Sequence, residues 1–180
     1  GTGTGTISGT LTLTAGAVNL SGGTFTIGIS TATLGTLTYT SGGFTTGSTV
    51  SRWFAATTAG TTITTGVIPT SGTGSFPFQV GVNSRNFHLQ RPTTTGATGG
   101  KISVQHVDGT GLNTIGVVND GGYMIDRQSA ANWIVSIGGG FDAGTGTFSY
   151  AVSGQGIYTA LNTNGRLMKA ASVVGTHQAG

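Results

Sequence analysis

Short runs in which an apolar residue alternates with threonine or serine, each closed by glycine, fill the first third of the chain and confine it to β-structure. Leu11 and Leu13, Val18 and Leu20, the trio Phe25, Ile27 and Ile29, and Leu37 with Tyr39 all stand at a spacing of two. That period sends successive side chains to opposite faces of a strand, so each run has an apolar face and a hydroxyl face. Threonine and the β-branched and aromatic residues suit a pleated surface, while glycine suits the corners between strands. Helix-building vocabulary is scarce: Glu is absent and charged residues make up only 6% of the chain.

The fold class that follows is all-β. Residues 1–50 read as a Thr/Gly-rich repetitive β segment whose loose repeats fit either the coils of a solenoid or extra strands of a sandwich. At Ser51-Arg52-Trp53-Phe54 the texture changes, and residues 51–180 read as an antiparallel β-sandwich domain of about eight strands. Strands are expected at Ser75 to Val82, Phe87 to Arg91, Lys101 to Val107, Thr114 to Val118, Tyr123 to Arg127, Asn132 to Ile137, Thr147 to Ser153 and Arg166 to Val174. Turn signals such as Asp108-Gly109, Asp120-Gly121-Gly122 and Asn164-Gly165 separate them. Phe76, Phe78, Phe87, Trp133, Phe148, Tyr150 and Tyr158 are the expected core and its rim. Ordered structure rather than low-complexity disorder follows from a mean hydropathy of +0.15 with aromatics at 8%.

Charge narrows the function classes. The net charge of +3 comes from seven Lys and Arg scattered without a run, so the basic balance reflects scarce acids and does not make a nucleic-acid surface. With no Cys, thiolate metal sites and disulfides are excluded. No stretch approaches the length of a membrane span. The chain opens at Gly1 without a Met or an apolar leader, which is expected of a processed secreted chain or a piece of a longer one.

Chemistry-bearing residues are few and ill placed for catalysis. Of the four acids, Asp108, Asp120 and Asp142 sit in turns, where Asp serves the backbone, and Asp126 lies in a strand, where an ion pair to another strand is expected. His88, His106 and His177 share no metal-ligand spacing, and no G-x-S-x-G elbow is present. The expectation is therefore no enzyme, no cofactor and no metal site.

In the segment carrying Arg52 and Trp53, then Phe76, Pro77, Phe78, Val80 and Gly81, and later Tyr123 to Arg127 followed by Trp133, the chain resembles Gly/Thr-rich β modules of large secreted Bacteroidetes surface proteins exported by the type IX route. The resemblance implies an extracellular or cell-surface role in adhesion, gliding or a fibre, and brings no catalytic residues with it.

A chain with so few charges lacks the usual devices that blunt sheet edges. The expectation is a structural subunit or module of an extracellular filament, a homopolymer whose copies join head to tail by β-strand addition. In that reading the N-terminal stretch is the added strand, and Ile7, Leu11 and Leu13 fill pockets in a neighbour. The alternative expectation is an adhesin module that binds carbohydrate or another surface component through Trp53, Tyr123, Trp133 and Tyr158; two of these on one flat face would favour it.

Overall fold

The structure, a computed structural model, describes residues 2–64, 67–153, 165–170 and 172–176. The alternating runs become β1 (Thr4–Ile7), β2 (Thr10–Leu13) and β3 (Ala17–Val18), then β4 (Thr24–Ile27), β5 (Thr36–Tyr39) and β6 (Gly43–Thr45). Each strand of the second trio lies parallel to its counterpart in the first: Thr4 beside Thr24, Thr10 beside Thr36, Ala17 beside Gly43. Tight turns reverse a chain, so sequential strands of a meander pair antiparallel; parallel pairing in this order means that the segment coils. A third turn begins with β7 (Thr49–Phe54), which lies parallel to β4, and later in that turn the Gly72 amide donates to the Leu37 carbonyl of β5.

Parallel register stacks like on like. Ile7, Ile27 and Arg52 form one inward row and Gly5, Phe25 and Val50 the next, while Leu11 sits beside Leu37. Ile27, Leu37, Phe44 and Val50 are buried, and the Phe25 and Phe44 rings lie 5.4 Å apart. Full burial of a side chain of this size contributes roughly 1.5–3 kcal/mol, so these rows are the main source of cohesion between turns.

Beyond β7 come β8 (Ser75–Phe76), β9 (Phe78–Val80), β10 (Asn83–Ser84), β11 (Phe87–Gln90), β12 (Gly100–Val107), β13 (Leu112–Asp120), β14 (Tyr123–Ser129), β15 (Asn132–Gly138), β16 (Ser149–Val152), β17 (Arg166–Lys169) and β18 (Ser172–Thr176). Apart from β9, which joins β6 in parallel, these strands pair antiparallel. The principal sheet runs β1-β4-β7-β12-β15, a second runs β10-β9-β6-β3 and a third β16-β11-β8. One core serves them all, joining Leu13, Ile27 and Val50 of the coils to Ile102, Val104, Phe76, Phe87 and Leu89.

The chain is all-β, with no helix among the described residues. Two strand expectations change. The run Ser75 to Val82 is split at Pro77, which has no amide to donate: Phe76 pairs with β11 and Phe78 with β6. Arg166 to Val174 is a hairpin, with Ala170 at φ 51° in its turn. Phe76, Phe78 and Phe87 are buried and Trp133, Phe148 and Tyr150 pack half-buried against them; Tyr158 lies outside the described residues.

Two glycines test the coiling. A Cβ on Gly23 would lie 1.6 Å from the Gly3 carbonyl oxygen of the adjacent turn, whereas one on Gly9 would meet nothing within 4 Å. Gly23→Ala is expected to cost about 1–3 kcal/mol, the usual range for an overpacked site. Gly9→Ala should stay within about 0.5 kcal/mol of the parent, as surface changes do. Urea denaturation of the two variants measures the difference.

Candidate assembly edge and the buried polar cluster

Between β7 and β8 the chain makes a long excursion, and buried basic side chains donate to several of its backbone carbonyls. Arg52 projects from the inward row of β7, where only 2% of it is exposed, and its Nη1 donates to the carbonyls of Gly72 and Ser75. Arg91 donates from Nη2 to Ala55, Ala56 and Thr58 at 3.1, 2.7 and 2.8 Å, with its guanidinium 5.4 Å from the centre of the Phe141 ring. Burial lowers the Arg52 pKa to about 10, which leaves it charged at neutral pH. A guanidinium offers five donors in a fixed fork, so a single side chain can tie several loop carbonyls to the core.

His88 belongs to the same cluster. Ser75 and His88 are cross-strand partners on β8 and β11, and Ser75 Oγ lies 2.8 Å from Nδ1. Nε2 lies 2.8 Å from the Thr61 carbonyl, which can only accept, so Nε2 carries a proton, and the Ser75 hydroxyl also lies 2.9 Å from the Pro69 and Ser71 carbonyls. Both residues are at most 1% exposed. A serine and histidine are thus brought together, but as a sealed staple for the excursion, out of reach of a substrate.

His106 on β12 is fully buried between the Trp133 and Phe78 rings, 5.1 and 6.4 Å between ring centres, and among the described residues neither of its ring nitrogens has a hydrogen-bond partner. Burial, reinforced by Arg85 and opposed by Asp108, lowers its pKa to about 4. Arg85 and Asp108 both line a cleft with Val80, Asn83 and Gly109 to Gly111. Among the described residues no group of three or more His, Asp or Glu side chains is placed to hold a metal ion. Asp142 accepts from the Gly144 amide at 2.9 Å in its turn. Among the described residues the exposed Asp126 makes no ion pair; it is Asp120 that pairs with Arg166.

Of the four aromatics considered as a binding platform, Trp53 and Trp133 lie on opposite faces of one sheet. On the principal sheet Trp53 is in register with Lys101, on the outward side of β12, while Trp133 is in register with buried His106, on the inward side. The Trp133 indole N–H is committed to the Arg85 carbonyl at 3.1 Å. Tyr123 lies apart in the turn of the β13–β14 hairpin, with the Arg166 guanidinium 5.0 Å from the centre of its ring, and Tyr158 is outside the described residues.

The residues expected to reach into a neighbour are spent within the chain. Leu13 is part of the core, and Ile7 and Leu11 pack half-buried against it, because parallel stacking turns the apolar face of each N-terminal strand inward. Unpaired apolar surface is found instead at the other end of the principal sheet. Among the described residues β15 pairs with β12 on one side only; it carries no charged residue and no proline, and leaves Ile134, Val135 and Ile137 exposed by 49, 44 and 65%. Such an edge presents open amides and carbonyls flanked by apolar side chains on both faces. The same ribbon continues past the kink where the Ala130 amide donates to Gly111 O into the β13–β14 hairpin, an arm with Leu112, Val117 and Met124 exposed and no side chain in the core cluster. Sequence reading found β15 as a strand; that it is an edge depends on the pairing.

Comparison with protein-family models, with curated proteins and with solved structures returns no match. No helix of the described residues is long and apolar enough to cross a membrane.

Neutral burial of His106 and His88 has a pH consequence. The unfolded chain takes up a proton near the ordinary His pKa of 6.5, which folded His106 resists until about pH 4. Stability is therefore expected to be full above pH 6.5 and to fall as the pH drops through that window. His106→Leu should flatten the fall and raise the melting temperature near pH 5 relative to the parent, because an unpartnered buried polar ring is replaced by an apolar side chain. Thermal denaturation at pH 7.5 and pH 5 measures both.

Proposed function

We propose that this chain is a structural subunit or module of an extracellular filament or cell-surface fibre, assembling by β-strand addition. The observation that carries the reading is β15: a seven-residue sheet edge with no charge and exposed Ile134, Val135 and Ile137. Natural sheets normally block such edges with Lys, Pro or a bulge, and an edge left open is suited to pairing. Among the described residues β1 bounds the same sheet at its opposite side, so a neighbour can be accommodated at each end, as linear growth requires. β1 and β15 run in the same direction, each being parallel to β7 in sense, which is compatible with head-to-tail joining. Scarcity of charge supports the same reading, since repeated burial of edges would otherwise desolvate ions at high cost.

In this proposal residues 51–180 form an antiparallel β-sandwich in which β12 and β15 face the β16-β11-β8 sheet across the shared core, fused to the coils of residues 1–50. β7 is the seam. The setting is secreted or cell-surface, in line with the resemblance to Gly/Thr-rich surface modules. A carbohydrate-binding adhesin is the less favoured reading, because Trp53 and Trp133 lie on opposite faces.

The test is electron microscopy of the purified chain beside an Ile134→Lys/Ile137→Lys double variant. Filaments with a regular axial repeat are expected for the parent and short or dispersed particles for the variant, with unchanged circular dichroism. Monodisperse parent particles at every concentration would overturn the proposal.

A further inference from the structure

We infer that His106 is an acid-operated latch at the root of the β13–β14 arm. On protonation its ring leaves the slot between Trp133 and Phe78, turns toward Asp108, and lets the arm hinge away while the coils stay closed. The latch belongs to a single chain and is independent of strand addition.

Its place in the fold is where the β12–β15 ladder ends. Val107 and Asn132 are the last partners of that ladder, and His106 and Trp133 stand just before them. Past this point the ribbon kinks, and neither the arm nor the β17–β18 hairpin, whose Arg166 holds Asp120 and Tyr123 of the arm, has a described side chain in the core cluster. The arm therefore depends on its root for its position against the core. Three contacts close that root: the His106 ring on Trp133, the Trp133 indole N–H on the Arg85 carbonyl at 3.1 Å, and the Thr46 hydroxyl, which donates to the His106 carbonyl at 3.0 Å and accepts from the Asp108 amide at 2.8 Å.

A neutral imidazole fits this slot and an imidazolium does not. Both nitrogens of the charged ring are donors, and among the described residues neither has an acceptor there. A buried charge without a partner is costly enough that the group moves or stays neutral. The charged groups that face the ring give the movement its direction. Arg85 opposes the charge, whereas Asp108, two residues along and exposed at the cleft, favours it. β6, β9 and β15 bring no charged residue, and Arg52 of β7 stands beside Ile102, two inward positions from the ring, with its Nη1 on loop carbonyls. The closed ring titrates at about 4 and a released one near the ordinary 6.5, so opening gains up to about tenfold per pH unit as the pH falls through that interval.

Amide hydrogen exchange of the full chain at pH 7.5 and pH 5, corrected for intrinsic rates, tests the latch, with Trp133 emission followed in a Trp53→Phe background. At pH 5 exchange over β13, β14 and Asn132 to Trp133 should quicken by roughly tenfold or more. β2, β5 and the circular dichroism should be unchanged, and Trp133 emission should shift to the red. His106→Leu should abolish the response, and Asp108→Asn should move its midpoint to lower pH. An arm that exchanges alike at both pH values, or an acid response retained in His106→Leu, would overturn the latch. Equal quickening in β2 and β5 would also overturn it, since that is general acid unfolding.

Discussion

The ladder on the two sides of β7 is the constraint on which the rest of the molecule depends. Along an extended strand successive amides and carbonyls point to alternate edges, so one edge can hold a parallel neighbour while the other holds an antiparallel one. β7 does both, with β4 on one side and β12 on the other. The coils therefore pass into the antiparallel part without a break in hydrogen bonding. The face assignment passes across as well: Ile7, Ile27, Arg52, Ile102 and Ile137 occupy one inward row of a single sheet.

Arg52 is the exception within that row, and it shows how the fold manages its least regular segment. Leaving carbonyls of the excursion between β7 and β8 buried and unpaired would cost about 1–3 kcal/mol each. Arg52, Arg91 and His88 meet these carbonyls from inside the core, and the Gln90 side chain accepts from the Ile63 amide at 2.9 Å. These contacts replace a ladder by a set of side-chain staples. They also account for buried cations with no acid beside them: the negative ends of several peptide dipoles converge on each guanidinium.

Where the fold ends its sheet, the same economy of charge leaves an opening. β12 is covered on both sides by strands, and its alternation of buried and half-buried residues is regular. β15 lies one strand further out with the same apolar spacing, and among the described residues no strand pairs with its other side. The arm formed by β13 and β14 extends the same ribbon without contributing to the core, so this corner of the molecule has more apolar surface than its own packing uses.

Much of this was legible in the chain. The period-two runs of the first 40 residues marked β2 to β5 and their apolar faces, because alternation is a local property of extended backbone, whereas β7 was legible only as a change of texture at residue 51. Phe76, Phe78 and Phe87 were legible as core because large aromatic rings dominate burial in small β domains. Coiling was not, since parallel and antiparallel pairing use identical strands and differ only in which distant residues meet. Nor was the fate of Ile7, Leu11 and Leu13: an apolar face seeks cover, but its own later turns supplied it before any neighbour could. The carbonyl partners of Arg52 and Arg91, the sealing of Ser75 with His88, and the isolation of β15 at a sheet edge are likewise decisions of tertiary structure. Composition and spacing determined a sparsely charged all-β chain with two-faced strands. Which faces and edges were left over was decided only when strands remote in sequence competed for one another's hydrogen bonds.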